Sequence, residues 1–381
     1  MIPAGWESAS LADICNFIEK GKRKASFGKN RGQFIFVPSA LTTKYCDEAD
    51  HVETSIVLGD GGVANVHYVD TPFSASDHTY ILREKDKSNV FLKYVYYNLL
   101  ANIEHIQKGF GGTAIKNVSK TYLKNTPIIY PDLPEQQRIV AKLDALFADI
   151  DAQKQIAQQS LQNAEELFES FSDKIFEEPH DGWLVKNLGA ISNQKQSKNE
   201  IKCSEQDMVT FAPMEQLGIG SKYLFTKTTK TLSEVKTGYT YFAENDVLMA
   251  KITPCFENGK IGIAKKLENG IGFGSTEYIV FRPLINLDIE FLYYFLNRKT
   301  FRMRGAKRML GAAGHKRVSK DFINEYPFQY PSNVETQKQI VCQLDAVYEQ
   351  TQNLRQIYTQ QIADLDELKQ AILKKAFNGE L

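Results

Sequence analysis

The sequence has little of what would place it in several large protein classes. Its five cysteines are scattered and never form a Cys-x-x-Cys pair, so neither a disulfide framework nor a zinc cluster is expected. No apolar run approaches the roughly 20 residues of a membrane-spanning helix. The first residues also have neither the basic nor the apolar region of a secretory signal. We therefore expect a cytoplasmic protein without membrane contact.

Sequence signatures of catalysis are missing too. There is no Gly-x-x-x-x-Gly-Lys-Ser/Thr phosphate loop, no Asn- or Asp-Pro-Pro-aromatic motif of adenine methyltransferases, and no histidine pair at metal-ligating spacing. We predict that this chain has no catalytic residue, no metal site and no cofactor of its own.

An excess of one charge is absent from the whole chain, which has 46 basic and 46 acidic residues. The charges are nevertheless segregated. Residues 135–178 carry 4 basic and 10 acidic side chains, whereas residues 179–333 carry 22 and 15. Such asymmetry indicates that some parts of the chain approach phosphate groups while others avoid them.

The most informative feature is an internal repeat. The only two tryptophans, Trp6 and Trp183, open the two halves, each five residues before a leucine. Two further pairs of segments match: 116–131 with 316–331, and 137–147 with 338–348. The offset grows from 177 at the tryptophans to about 200, so the second half holds some 23 extra residues between these anchors.

A long helix is predicted after each repeat of the Tyr-Pro sequence. Residues 135–178 contain neither glycine nor proline, and Pro179 then ends the helix. The second helix runs from residue 335 to about 377 and ends at Asn378-Gly379. At about 1.5 Å per residue, each is about 65 Å long.

Capping boxes are predicted to start both helices. Asp132 precedes Glu135 by three residues in the first helix, and Ser332 precedes Glu335 by three residues in the second. In such a box the cap side chain accepts a hydrogen bond from the backbone, and the glutamate reaches back to the cap.

Apolar positions in the two helices step by four and three residues, in the same phase and at an offset of 201. We predict that these positions form an interhelix seam: Leu143, Leu146, Ile150, Ala157, Ala164, Leu167 and Phe171 in the first helix, with Leu344, Val347, Leu354, Tyr358, Leu365, Leu368 and Ile372 in the second. Antiparallel pairing within the chain is favoured by the equal lengths. The alternative is that each helix joins an intermolecular coiled coil.

The globular segments mix both kinds of secondary structure. Strands are predicted at 34–40, 78–84, 246–252 and 277–283, and helices at 90–107 and 288–306. The fold class is therefore α+β: two similar domains separated by a long antiparallel two-helix coiled coil, with a pseudo-two-fold internal repeat. The predicted segments are a first domain at 1–134, a helix at 135–178, a second domain at 179–333 and a helix at 334–381.

This order of segments resembles the specificity subunit of Type I restriction-modification systems. The resemblance covers the whole chain and is most specific at LPEQQRIVAKLDALF (133–147), at GSTEYIVFRP (274–283) and at the C-terminal LKKAFNGEL. It implies two target recognition domains that each read one half of a bipartite site in double-stranded DNA.

The resemblance also implies partners. The helices would set the distance between half-sites and dock two modification (methyltransferase) subunits, and restriction (translocase/nuclease) subunits would complete the complex. S-adenosylmethionine, ATP and Mg²⁺ would then be bound by those partner subunits. Two other interpretations stay open: a coiled-coil scaffold that binds without reading sequence, and a self-sufficient DNA methyltransferase or nuclease.

Candidate DNA contacts are basic residues near glycine or turns, where backbone can approach phosphate. In the first domain they are Lys22, Arg23, Lys24, Lys29, Arg31, Lys116 and Lys120. In the second they are Lys195, Lys198, Lys251, Arg302, Arg304, Lys307, Arg308, His315, Lys316 and Arg317. For any single one, an ordinary solvated charge is the alternative. Lys116 and Lys316 occupy matched repeat positions, as do Lys120 and Lys320, whereas the acidic first helix is expected to face protein.

Overall fold

Two compact units make up the chain. The computed structural model describes residues 2–18, 20–85, 89–112, 116–194, 196–284, 286–312 and 314–381. The first unit comprises Met1–Gln158 and Thr359–Leu381, and the second comprises Gln159–Tyr358. Each unit thus contains a globular part together with a portion of both long helices. The four-segment division made from the sequence stays a prediction.

The first globular part and its long helix contain short strands and helices. In chain order they are β1 (Glu7–Ser10), α1 (Leu11–Ile14), β2 (Cys15–Phe17), β3 (Phe34–Val37), β4 (Lys44–Cys46), β5 (Ser55–Gly59), β6 (Val66–Val69), β7 (Phe73–Ala75), β8 (Thr79–Glu84), α2 (Leu92–Ala101), α3 (Ile103–Lys108), β9 (Phe110–Gly111), β10 (Asn117–Val118), α4 (Lys120–Lys124), β11 (Pro127–Tyr130) and α5 (Leu133–Glu177).

The second globular part follows the same plan with additions. Its elements are β12 (Trp183–Asn187), α6 (Leu188–Ile191), β13 (Ser192–Asn193), β14 (Met208–Ala212), β15 (Thr229–Thr231), α7 (Leu232–Val235), β16 (Thr240–Ala243), β17 (Val247–Ala250), β18 (Ile261–Ile263), β19 (Ile271–Gly274), β20 (Tyr278–Pro283), α8 (Ile289–Asn297), α9 (Lys299–Ala306), α10 (Lys320–Glu325), β21 (Pro327–Pro331) and α11 (Val334–Phe377).

Sheet topology confirms the α+β class and the internal repeat. One four-stranded sheet has the order β2-β8-β5-β6 in the first unit and β13-β20-β17-β18 in the second. A second sheet contains a parallel pair in both units, β3 with β7 and β14 with β19. The strand that follows Trp6 and the strand that begins at Trp183 each pair antiparallel with a strand of the Tyr-Pro repeat, β1 with β11 and β12 with β21. The two halves are therefore built on one topology.

Part of the extra length of the second half lies around the second sheet. Between β14 and β15 the chain makes a long excursion with a short 3-10 helix at Met214–Gln216, whereas only a short turn joins β3 to β4. Strand β16 pairs antiparallel with β19 over four residues, where the described residues of the first unit have only a single antiparallel bridge, between His51 and Phe73 of β7. The insertion thus enlarges the surface of one unit without changing the shared core.

The elements predicted from β-branched and aromatic content are present. All four predicted strands form, as β3, β8, β17 and β20. Each predicted helix is divided in two: 90–107 is broken at Asn102 between α2 and α3, and 288–306 is broken at Arg298 between α8 and α9. Arg298 has an extended ψ of 138°, which ends the α8 hydrogen-bond ladder.

Helix α5 begins as expected at its cap, and α11 does not. The backbone N–H of Glu135 donates to the Asp132 carboxylate at 3.2 Å, although the Glu135 side chain pairs with Arg138 instead of returning to the cap. In α11 the cap is Asn333, whose side-chain oxygen accepts from the N–H of Glu335 at 2.8 Å, so Ser332 as the cap was wrong. Asparagine is as good a cap as serine, so the spacing in the sequence alone does not tell which of the two residues is the cap.

The C-terminal end of α11 follows its sequence signal. Gly379 adopts a positive φ of 77°, and the N–H of Glu380 reaches back to the carbonyl of Lys375 at 3.0 Å. The N–H of Gly379 donates to the carbonyl of Ala376 at 3.3 Å, which completes a Schellman motif. The left-handed conformation at this position explains the glycine.

Within each unit the portions of α5 and α11 run antiparallel. In the first unit Lys154 pairs with Asp366 at 2.6 Å, and Lys369 pairs with Asp151 at 2.8 Å. In the second unit the rings of Phe168 and Tyr348 meet edge to face at 5.2 Å. Partner numbers fall on one helix as they rise on the other, which is the antiparallel relation.

The buried stripe drifts away from the predicted seam. Leu143, Ile150, Ala157, Ala164, Leu344 and Leu365 are buried, and Leu146, Phe171, Val347, Leu354, Tyr358 and Ile372 are partly buried. Leu167 and Leu368, however, are 49% and 47% exposed, so their assignment to the seam was wrong. Phe168 and Leu373 take the inward positions instead. A strict heptad steps by 3.5 residues, and a helix of 3.6 residues per turn falls out of that phase over its length.

Candidate nucleic-acid interface

The basic segment near the start of the first unit is partly neutralised by acids. Arg23 donates to Asp50 through Nε at 2.9 Å and to Glu48 through Nη2 at 2.7 Å, and Lys29 pairs with Asp47 at 2.6 Å. Lys24 and Arg31 are exposed. Two of the candidate cations, Arg23 and Lys29, are thus engaged in ion pairs within the first unit.

The densest basic run, which begins on α9 and continues to Arg317, divides in a way that the sequence did not predict. Arg302 is half-buried and donates to the carbonyls of Asn297 at 3.2 Å and Glu257 at 2.7 Å, and burial lowers the pKa of its guanidinium. Arg304 binds Glu177 at 2.8 Å through Nη2 and the hydroxyl of Tyr326 at 2.8 Å. These two arginines are therefore engaged inside the second unit.

The acidic face of α5 explains that engagement. Glu177 receives Arg304 and, at 2.6 Å, the buried Arg298 of the break between α8 and α9. Asp173 accepts the hydroxyl of Thr300 at 2.6 Å. Asp173 and Glu177 of α5 thus face protein in this unit and neutralise charge on the side of α9 that they cover.

Other cations of this run remain on the surface. Lys307, Arg308, His315, Lys316 and Arg317 are exposed. Lys195 lies outside the described residues. The basic run therefore has two faces: one binds α5, and the other is open to a ligand.

A recurring backbone arrangement surrounds another candidate, Lys116, in the first unit. We define the first junction as residues 60–62, 76–78 and 116–118. The N–H of Asp60 donates to the carbonyl of His78 at 3.0 Å, and the N–H of Val118 donates to the carbonyl of Asp60 at 2.9 Å. The N–H of His78 also donates to the Ser76 hydroxyl at 3.1 Å. The junction thus gathers the ends of β5 and β10, the start of β8 and the exposed Lys116.

Hydrogen bonds of the same pattern form in the second unit. We define the second junction as residues 251–253, 275–277 and 316–318. The N–H of Lys251 donates to the carbonyl of Glu277 at 2.9 Å, and the N–H of Val318 donates to the carbonyl of Lys251 at 3.0 Å. The N–H of Glu277 donates to the Ser275 hydroxyl at 3.2 Å. The same backbone hydrogen-bond pattern, called the frame below, therefore occurs in both units.

Side chains on the two frames differ in charge. Asp60 of the first junction is buried, binds Lys20 and accepts from His78 at 3.1 Å. Its counterpart by hydrogen bonding is Lys251, whose Nζ donates to the carbonyl of Thr276 at 2.8 Å. Glu277 replaces His78 in the same way, and Arg317 stands where the first unit has Asn117. The same backbone frame thus carries different side-chain donors and acceptors in the two units.

Gly21 allows a close backbone contact at the first junction. A Cβ on Gly21 would lie 2.2 Å from the carbonyl oxygen of Ser76, so the segment before Arg23 packs directly on the backbone of the junction. The N–H of Asp77 donates to the carbonyl of Arg23 at 2.8 Å. The candidates at 22–24 and at 116 therefore border one surface.

A cleft of about 740 Å³ borders the second junction. Two candidate lysines line it, Lys198 and Lys251, together with Lys320, the repeat equivalent of Lys120, and the amide side chains of Asn193, Gln194 and Gln196 add donors and acceptors. Lys198 donates to the carbonyl of Tyr239 at 3.3 Å. Amides and lysines on an open cleft suit the edges of bases and the phosphates beside them.

The described ranges contain neither a candidate metal site nor a membrane-spanning helix. Among those residues no group of three or more His, Cys, Asp or Glu side chains could hold a metal ion. No helix in the described part of the chain is long and apolar enough to cross a membrane.

Comparison with protein families identifies the repeat. The model of the Type I restriction modification DNA specificity domain matches the chain twice, over residues 3–160 and 180–362. The two matches contain one junction each. The internal repeat is therefore a duplication of this domain.

Among curated proteins, the Type I restriction enzyme EcoEI specificity subunit of Escherichia coli is 39% identical over 168 residues, 44% of this chain. This match and that to the EcoAI specificity subunit cover only 28% and 29% of those proteins. The EcoDI specificity subunit of Escherichia coli is 22% identical over an alignment that covers 100% of this chain and 89% of that protein.

Solved structures share the fold over the full chain. A chain from work on complex assembly and conformational transition of the type I R-M system aligns with a TM-score of 0.71 at 20% identity, covering 100% of both chains. The HsdS subunit from Thermoanaerobacter tengcongensis aligns with a TM-score of 0.54 at 21% identity, covering 100% of this chain and 98% of that one.

Proposed function

Because the chain belongs to the family of Type I restriction modification DNA specificity proteins, we propose that it is the non-catalytic subunit that reads a bipartite target in double-stranded DNA. The first unit reads one half-site and the second unit reads the other. The observation that carries this proposal is the junction, because the same backbone frame occurs in both units with different side chains.

Two frames with different side chains suit an asymmetric target. A symmetric dimer presents the same groups twice and therefore favours a palindromic site. Here Asp60 and His78 correspond to Lys251 and Glu277, so equivalent positions in the two half-sites meet different chemistry. We propose that the half-sites differ in sequence for this reason.

The same proposal assigns catalysis to partner subunits. Two modification subunits dock on α5 and α11, bind S-adenosylmethionine and methylate adenine at the site that this chain selects. Restriction subunits bind ATP and Mg²⁺ and cleave DNA. What supports docking is that both helices contribute to both units.

Lysines at the junctions are expected to bind phosphate. Replacing Lys316 with alanine in the assembled complex should weaken binding of target and non-target DNA alike, and should reduce the slope of log K against log salt by about 0.9. Lys116→Ala should do the same for the first unit. Titrations of DNA binding at several salt concentrations measure both effects.

Lys265→Ala is the matched control. Lys265 lies at the opposite end of β17 from Lys251, where its Nζ contacts the Oδ1 of Asn245 at 2.5 Å, and its loss should leave the slope unchanged. Equal slopes for Lys316→Ala and the unmodified complex would remove the second junction from the DNA interface. DNA binding that ignores sequence altogether would instead favour a scaffold.

A further inference from the structure

One arginine of the second junction is held in place by a carboxylate. Arg317 donates to both oxygens of Glu277, from Nε to Oε2 at 2.9 Å and from Nη2 to Oε1 at 2.7 Å. Its Nη1 donates to the carbonyl of His315 at 3.2 Å. The Arg317 side chain is still 47% exposed, whereas Glu277 is 22% exposed. Glu277 thus fixes one side of the guanidinium, and the other side is exposed to solvent.

The backbone around the pair is fixed as well. Arg317 exchanges two backbone hydrogen bonds with Leu310, at 2.8 and 3.0 Å, and forms a bridge with Ile252. Glu277 is held by Ser275 and by Lys251, as described for the junction. The hydrogen bond from Arg317 also lowers the pKa of the Glu277 carboxyl, so this carboxylate stays charged at neutral pH.

The Arg317 guanidinium still has N–H donors that its contacts within the unit do not use. Arginine has five N–H groups, and the contacts to Glu277 and His315 engage three of them. One N–H on Nη1 and one on Nη2 remain, on neighbouring nitrogens of the planar group. Two donors on one guanidinium match the O6 and N7 acceptors that guanine presents in the major groove.

The first junction has no counterpart of this pair. Asn117 occupies the position of Arg317, and His78 occupies that of Glu277, with its Nδ1 directed to Asp60 at 3.1 Å. An arginine fixed by a carboxylate is thus particular to the second unit, and any reading that depends on it is confined to one half-site.

From this geometry we infer that Arg317 reads a guanine in the half-site of the second unit, and that Glu277 is a positioning residue that orients the guanidinium for it. The inference rests on the proposed function, because it requires that the second junction face DNA. Fixing the guanidinium in advance reduces the conformational entropy lost when the base is bound.

The test is the methylation motif recorded in cells that express the chain with its own modification subunits. With Arg317→Ala, one guanine of one half-site should become degenerate, with discrimination at that position falling roughly 10- to 100-fold, while the other half-site is unchanged. Arg317→Lys should restore the preference only in part, because an ammonium lacks the planar fork of donors that Glu277 orients. Glu277→Gln should relax the same position to a smaller extent, and Glu277→Asp should restore part of it.

Glu205→Gln is the control, because Glu205 forms a solvated pair with Lys236 at 3.0 Å in the same unit, and it should leave the motif unaltered. An unchanged motif with Arg317→Ala overturns the inference, and so does a uniform loss of methylation at every position, which would indicate a phosphate contact. Both results leave the proposed function intact. That function fails by itself if the motif does not depend on this chain.

Discussion

Glu177→Ala is expected to lower the free energy of unfolding by about 3 kcal/mol, because it leaves a buried cation without its main partner. Arg298 is 2% exposed, and its Nη1 lies 2.6 Å from the Glu177 carboxylate. Asp173, at 3.7 Å, is too distant to take over the contact fully. Urea denaturation followed by far-UV circular dichroism measures the change, and hydrogen exchange should locate it in α8 and α9.

Glu178→Ala provides the matched control. Glu178 is the next residue and is exposed, so its loss should change stability by less than about 0.5 kcal/mol. If both variants unfold at the same urea concentration, the pair between Glu177 and Arg298 does not stabilise the second unit.

The stabilisation by Glu177 should also depend on pH. Burial raises the pKa of its carboxyl, but hydrogen bonds and charge from Arg304 and Arg298 outweigh burial and leave that pKa below the usual value of 4.5. The contribution is therefore present above that value and is lost as the pH falls through the lower folded-state pKa.

Lengthening both long helices together is expected to change the distance between half-sites. One heptad adds about 10 Å, equivalent to about three base pairs of DNA, and returns each helix nearly to its original phase. Inserting it after Gln158 in α5 and after Tyr358 in α11 keeps the pairs of Lys154 with Asp366 and of Arg355 with Glu165 in register on either side. The methylation motif should keep both half-sites and gain base pairs in its gap.

An insertion in α5 alone is the control for that experiment. It shifts one helix against the other and should break the antiparallel register, with loss of methylation. A double insertion that preserved the original gap would show that the helices do not set the spacing. A double insertion that altered the half-sites would contradict the assignment of sequence reading to the globular parts.

Much of the fold was predictable because it rests on local and repeated signals. The paired tryptophans and the Tyr-Pro sequences mark strands that pair with each other in both units, so the repeat in sequence is also a repeat in topology. The cap at Asn333 and the inward turn of Phe168 were missed for physical reasons. Neighbouring residues of similar capping strength compete at a helix start, and a heptad pattern ignores the extra tenth of a residue per turn.

The candidate site was less predictable, because sequence does not say which cations already have partners. Arg302 and Arg317 look alike in the basic run, yet the first donates to two backbone carbonyls and the second, which is paired with a carboxylate, is about half exposed. The ten acids of residues 135–178 were a signal that some basic residues would be neutralised. Aligning the repeats through the hydrogen bonds of Val118 and Val318 is what pairs Asp60 with Lys251, and spacing alone does not give that correspondence.

Mapping N6-methyladenine across the genome by long-read sequencing, with this gene intact and deleted, tests the central claim most directly. We expect a two-part motif with a fixed unspecified gap that is methylated in the intact strain and unmethylated in the deletion strain. Expressing the chain again should restore the same motif. Methylation that persists unchanged after deletion, while the modification subunits are present, would contradict the claim that this chain selects the DNA sequence.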